Sequence, residues 1–204
     1  MHPARSSDFY GLLAPVLALA AVAVAAPPAD DRGFDPTGVW TGQHGSLVLM
    51  RAGDTLSFSY SAVFGATAHL CDGIGVAGFV GDGVWQSVDT EGTVTFTTRG
   101  DEVTMQVTAG SASFCGADWP GDRFARGAWR PAVRCRVTAR KARFFAVAPL
   151  PPPVRLAFVV EGDEIEALDL VNERSARWLL ARYVGQTRTT AGLLERDALA
   201  CRSQ

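Results

Sequence analysis

Between residues 37 and 114 apolar and polar side chains alternate with a period of two. The alternation is cleanest in Leu56-Ser-Phe58-Ser-Tyr60-Ser-Ala62, Val94-Thr-Phe96-Thr and Val103-Thr-Met105-Gln-Val107. Successive side chains of a strand point to opposite faces, so these runs place one apolar face on a core and one polar face in water. Strands are predicted at residues 46–51, 55–64, 66–70, 76–80, 84–88, 93–99, 102–108 and 112–114. Gly53-Asp54, Asp82-Gly83, Glu91-Gly92 and Gly100-Asp101 separate them at hairpin spacing. No helical period intervenes. The expected architecture is an antiparallel meander closed into a small barrel.

Residues 116–131 follow no clean period and predict a long loop. Beyond it, strands are expected at residues 134–147, 154–160, 164–170, 177–184 and 189–194, with a last piece at 198–201. A Pro-rich turn at 149–153 and a tight turn at Glu161-Gly162-Asp163 separate some of them. The chain therefore reads as all-β throughout, with two β modules in series.

The first 26 residues differ from everything after them. Arg5 and the amino terminus give a short positive region, followed by an apolar run from Gly11 to Ala26 and the small-x-small site Ala23-Val24-Ala25. This is the pattern of a cleaved export signal. The run is 16 residues and broken by Pro15, short of the roughly 20 needed to span a bilayer as a helix. The expected organisation is a signal peptide at 1–25, a linker at 26–36, an antiparallel barrel at 37–131 and a second domain at 132–204. No stable membrane span is expected after cleavage, and the product is expected to be periplasmic or secreted.

Charge and cysteine content sharpen this picture. From Ala26 to Val133 there are 6 Arg against 12 Asp and Glu, a net of −6; from Arg134 onward there are 12 Arg and Lys against 8 acids, a net of +4. The two parts are electrically different. Four cysteines, Cys71, Cys115, Cys135 and Cys201, make an even set in an exported chain, which favours two disulfides in one of three connectivities. No Cys-x-x-Cys occurs, so a zinc site is not expected.

Candidate chemistry is sparse. Gly73-Ile-Gly75-Val-Ala-Gly78 spells G-x-G-x-x-G, but a dinucleotide site needs a helix opening at the last glycine. Here a strand-like run follows, so the glycines read as bends of a hairpin. His44 and His69 are the histidines beyond the signal, and no Gly-x-Ser-x-Gly elbow accompanies them. The carboxylates Asp101, Glu102, Glu161, Asp163 and Glu164 fall at turns, where solubility explains them. No catalytic residue, metal or cofactor is expected. Arg134, Arg136, Arg140, Lys141 and Arg143 form the densest basic stretch. On one strand, Arg134, Arg136 and Arg140 would share a face able to meet peptidoglycan carboxylates or an acidic protein patch. A nucleic-acid role would want a larger positive charge and does not suit export.

The second half resembles a bacterial SH3-like domain. Cys135-Arg-Val137 and Ala142-Arg-Phe144-Phe145 match its opening. Ala157-Phe-Val-Val-Glu-Gly162-Asp163-Glu-Ile165 matches its valine run and Gly-Asp turn, and Trp178-Leu-Leu-Ala-Arg182-Tyr183-Val184 its Trp-strand-Arg-aromatic element. Thr190-Ala-Gly192-Leu193-Leu194 with Asp197-Ala-Leu199 matches its close, with Leu193 where the family carries Trp. Gly38-Val-Trp40-Thr-Gly42 resembles the opening of calycin-type barrels. The resemblance implies an SH3-like barrel whose first and last strands lie close together, hence Cys135 paired with Cys201; Cys71 and Cys115, both following strands of the first barrel beside Gly-rich turns, are expected to pair with each other. The expected function is that of a non-catalytic envelope protein binding cell-wall peptide or a periplasmic protein, with Arg134, Arg136 and Arg140 of the basic stretch and the aromatics Phe144 and Tyr183 as candidate contacts. The alternative expectation is an inhibitor or immunity protein against a lysozyme-like cell-wall hydrolase.

The exported form is expected to begin at Ala26 without an acyl chain. Intact-mass measurement of the periplasmic protein checks this, and a mass that retains Met1–Ala25 contradicts it.

Overall fold

Alternation of large apolar with small polar residues produces a barrel filled from its inward side. The computed structural model describes residues 34–88, 92–110, 115, 119, 121–149 and 151–201. The expected signal peptide, residues 26–33 of the expected linker and the expected strand at 112–114 lie outside them. Eight antiparallel strands close the barrel: β1 (Gly38–Gly42), β2 (Gly45–Ala52), β3 (Thr55–Phe64), β4 (His69–Gly81), β5 (Val84–Val88), β6 (Gly92–Arg99), β7 (Glu102–Gly110) and β8 (Asp122–Arg130). Each strand pairs with the next in sequence, and β8 returns to β1 with Trp40 opposite Trp129. Trp40, Leu56, Phe58, Tyr60, Trp85, Phe96 and Phe124 are buried within one cluster. An eight-stranded barrel has an interior just wide enough for side chains, and these aromatics occupy it.

The second sheet holds seven strands: β9 (Val133–Val137), β10 (Lys141–Phe145), β11 (Val154–Val160), β12 (Glu164–Asp169), β13 (Trp178–Val184), β14 (Thr189–Glu195) and β15 (Leu199–Cys201). Their spatial order is β11-β10-β14-β13-β12-β9-β15. Short 3-10 turns at Glu173–Ala176 and Arg196–Ala198 join some of them. The described chain is thus all-β, a closed barrel followed by a second sheet.

Three sequence expectations need correction. The strands expected at 66–70 and 76–80, with a glycine hairpin between, are not separate: residues 69–70 and 76–80 belong to the single strand β4, and residues 66–68 form the turn that leads into it from β3. Gly75 stands opposite Phe58, and a Cβ there would meet the ring's Cζ at 2.6 Å. The glycine makes room for an aromatic ring instead of bending the chain. The true turn is Asp82-Gly83, both at positive φ (49° and 73°), as a tight hairpin of this type requires. Second, Asp122–Arg130, expected as loop, is the strand that closes the barrel. Its outward arginines and Gly127 obscure the alternation. Third, residues 134–147 form two strands. Thr138 N donates to Ala198 O at 2.9 Å, turning the chain, so Arg134 and Arg136 lie on β9 while Arg140 lies in the bend before β10.

All fifteen strands fall within one compact unit. The reason is visible in β2, where Leu47 and Leu49 face the barrel core while Val48 and Met50 are buried on the outside. Val48 and Met50 belong to a cluster with Val147, Leu168, Leu170, Trp178, Leu180 and Leu193 from the second module. Strands β12 to β14 are likewise buried on both faces, because Ile165, Ala167, Leu179, Ala181 and Leu194 pack in a separate inner core. The serine face of β3, expected in water, is partly covered too. Ser57 and Ser59 are buried, and Asn172 Nδ2 donates to Ser59 Oγ at 3.3 Å. Small side chains there allow the second module to approach.

Disulfides join Cys71 to Cys115 and Cys135 to Cys201, the expected pairing. Cys135 and Cys201 stand directly opposite across β9 and β15, with Cα atoms 4.0 Å apart. The two bridges span 44 and 66 residues of sequence respectively.

Truncating Met50 should leave a void between the modules rather than inside the barrel. Met50→Ala is expected to lower stability by about 2–4 kcal/mol within a single unfolding transition. Denaturant melts followed by tryptophan fluorescence and far-UV circular dichroism check this, and two separated transitions in the parent protein contradict it.

Candidate functional site

The basic residues singled out from sequence do not form a free cationic face. On β9, Arg134 stands opposite Glu166 and Arg136 opposite Glu164 of β12. Directly opposed charges in an antiparallel ladder lie close enough to attract each other. Arg136 also reaches the Glu161-Gly162-Asp163 turn, its Nη2 lying 3.6 Å from where a Cβ of Gly162 would sit. Arg140 is exposed and separate from both.

Glu166 continues this row to β13, where Arg182 lies opposite. Arg182 is the most connected side chain at the seam, with 14% of its side chain exposed. Its Nε donates to Glu166 Oε2 at 2.7 Å. Its Nη1 donates to Asp35 Oδ2 at 2.9 Å, to Thr37 Oγ1 at 3.0 Å and to Arg51 O at 3.0 Å. One guanidinium of the second module thus clasps three groups of the first. Burial acts to lower the pKa of Arg182, but Asp35 and then Glu166 outweigh it and hold the cation. Burial acts to raise Asp35. The Thr37 hydroxyl and amide, followed by Arg182, outweigh it and keep that carboxyl below the usual range.

At one end of the barrel, Asp122 is buried and accepts from Gln43 N, His44 N, Arg123 N and the Tyr60 hydroxyl. Burial, then the Asp122 carboxylate, holds the Tyr60 phenol well above its ordinary value. This carboxylate secures the β1–β2 turn to β8; a Cβ on Gly42 would strike its oxygens at 2.7 Å. His69 stacks near Phe64, with ring centroids 5.8 Å apart, where β3 turns into β4. His69 and Asp72 lie three residues apart on β4 and hence on opposite faces. No group of three potential metal ligands occurs among the described residues. Among those residues no helix is long and apolar enough to cross a membrane.

Phe144 and Tyr183 do come together. Both line a groove of about 360 Å³ beside β11. Strand β11 contributes Leu156, Ala157 and Phe158, and the β13–β14 hairpin contributes Gly185, Thr187, Arg188 and Thr190. Phe144 is 1% exposed, so it serves as floor. The side chains available for contact are ones the sequence reading did not select: Val154, Leu156, Phe158 and Val160, exposed by 55%, 92%, 50% and 43%. They alternate along β11; Phe158 and Val160 stand opposite Arg143 and Lys141 of β10, and Val154 opposite Phe145 beyond a register shift. Lys141 Nζ lies 4.0 Å over the Phe158 ring, and Arg143 stands opposite Phe158 on β10. The available signal was the apolar run at 154–160 beginning at a Pro-rich turn, which reads equally well as a buried strand.

No family model, curated protein or solved structure matches this chain.

Arg182→Met should remove the clasp while keeping the aliphatic stem, at a cost of about 2–3 kcal/mol. Because the folded Asp35 has a lowered pKa, its contribution is complete above the ordinary value of 3.8 and fades as pH falls through the lowered value. Acid loss of stability below pH 3.8 should therefore be shallower in the variant. Urea melts from pH 7 to pH 2 check both effects, and coincident curves contradict them.

Proposed function

We propose that the chain is an exported, non-catalytic envelope protein that binds a periplasmic protein or cell-wall peptide through β11 and the groove beside it. The observation that carries this reading is the row Val154, Leu156, Phe158 and Val160, presented to solvent by an edge strand. Single exposed apolar residues are ordinary on protein surfaces, whereas a contiguous apolar row marks a contact surface. Proteins usually blunt a sheet edge with inward-pointing charges, proline or a covering loop, and an apolar edge is retained where something pairs with it. The resemblance of the second half to SH3-like domains supports a binding module. The disulfides and the apolar amino-terminal run support export into an oxidising compartment.

A second reading, inhibition of a cell-wall hydrolase, is favoured by a different feature. Every residue from Gly65 to Leu70 is exposed at the tip of the β3–β4 hairpin, and Val63 and Leu70 form an apolar pair behind it. Such a tip has the shape to enter a cleft. The filled barrel interior places any such contact on this outer surface.

Leu156→Glu combined with Phe158→Glu should leave the fold intact, since both side chains face solvent, and reduce recovery of envelope partners or cell-wall sedimentation at least tenfold. Retention equal to the parent protein overturns the β11 reading. Muramidase inhibition that survives this change and is lost in Leu70→Asp would establish the hairpin reading in its place.

A further inference from the structure

We propose that the occupant of the groove beside β11 is an extended segment of a partner protein. It adds to the sheet as a further strand, with apolar side chains at alternate positions and acidic ones between them. This rests on the β11 reading and names the partner's chemistry.

The backbone argument comes first. Among the described residues β11 pairs with β10 alone, through Lys141↔Val160, Ala142↔Val159 and Arg143↔Phe158. Its other edge is unpaired among the described residues, and Leu156, Ala157 and Phe158 border the groove whose opposite wall is Tyr183, Arg188 and Thr190. A strand edge carries main-chain donors and acceptors that a guest strand satisfies, and that mode of addition recurs in peptide recognition. The available length is bounded at one end. Val160 N donates to Asp163 Oδ2 at 2.9 Å, and Val160 O accepts from Asp163 N at 3.1 Å. The Asp163 turn therefore occupies Val160, leaving Val154 to Val159 as the docking frame.

Side chains then set the pattern. Leu156 and Phe158 are both exposed and border the groove, so apolar side chains of an added strand fall beside them, and cross-strand aliphatic and aromatic pairs favour association. Intervening positions point to the other face, toward the groove, where among the described residues Arg188 is the one charged lining residue and no carboxylate lines it; Lys141, over Phe158, and Arg143, opposite it, add positive charge on the apolar face. Arg155 is engaged separately, donating to Ala191 O at 2.6 Å. A basic guest would meet like charge, and an acidic one is drawn in. Cell-wall stem peptides carry small side chains and cannot cover Leu156, the most exposed large apolar residue of this surface. A second copy of the chain would bring the same cations and no acids from this face.

The test uses the full chain and fluorescent seven-residue peptides. One alternates Glu with Val and Leu, one carries Lys in place of Glu, and two are N-methylated at alternate amides of the acidic sequence, one for each edge. Anisotropy should show the acidic peptide binding at least tenfold tighter than the lysine peptide, with affinity falling as salt rises. Methylation of one edge should abolish binding and methylation of the other should not. Phe158→Ser and Arg143→Glu should each weaken binding at least fivefold, with circular dichroism confirming the fold. Equal binding of the acidic and lysine peptides, indifference to methylation of both edges, or no binding at millimolar peptide overturns the inference. So does self-association lost in Phe158→Ser, or a β11-dependent activity confined to isolated peptidoglycan. If Leu156→Glu with Phe158→Glu abolishes partner recovery while no peptide binds, the added-strand inference fails and the β11 reading stands.

Discussion

The structure depends on burying both faces of the strands where its two modules meet. Strand β2 sends Leu47 and Leu49 into the barrel and Val48 and Met50 outward; β13 sends Leu179 and Ala181 into its own core and Trp178 and Leu180 toward the barrel. Separating the modules would expose both outer sets together. At roughly 25 cal/mol per Å² of apolar surface removed from water, a seam built from Met, Leu, Val and Trp side chains is a major part of the stability of either module. The β11 edge proposed for binding is held on that combined body.

Polar groups give this apolar contact a unique arrangement. Arg182 bonds Glu166 within its own sheet and Asp35, Thr37 and Arg51 of the barrel side. An apolar seam tolerates small slips, whereas a guanidinium with several directional partners does not. The two parts carry opposite net charge, and Arg182 with Asp35 is one place where that difference becomes a contact across the seam. The remaining cations separate into two environments. Arg134 and Arg136 face glutamates, while Lys141 and Arg143 flank exposed apolar side chains.

Much of the barrel was legible because its strands have one clear inside face. Leu56 to Ala62 alternates cleanly, and β3 appears where the pattern puts it. Legibility failed wherever a tertiary neighbour changed the meaning of a local signal. Gly75 reads as a bend and instead accommodates the ring of Phe58. The serines of β3 read as solvated and meet a second module. Leu47-Val-Leu-Met50 and Trp178-Leu-Leu-Ala181 were uninterrupted apolar runs, the mark of strands buried on both faces. Phe144 and Tyr183, expected as candidate contacts, line one groove, where Phe144 is buried and the exposed apolar residues beside them belong to β11. Arg182 stood in the sequence as the Arg of the Trp-strand-Arg-aromatic element, but its clasp left no local signal, since its partners lie up to 147 residues away.

The central claim is that barrel and second sheet form one cooperative body from which the β11 edge is presented. Native-state hydrogen exchange resolved by peptide tests it most directly. Amides of β2, β13 and β14 should exchange only through the same global opening, with a common free energy and denaturant dependence, while the free edge of β11 exchanges much faster. Distinct opening free energies for β2 and for β13–β14, or protection of β11 equal to theirs in the protein alone, would contradict the account.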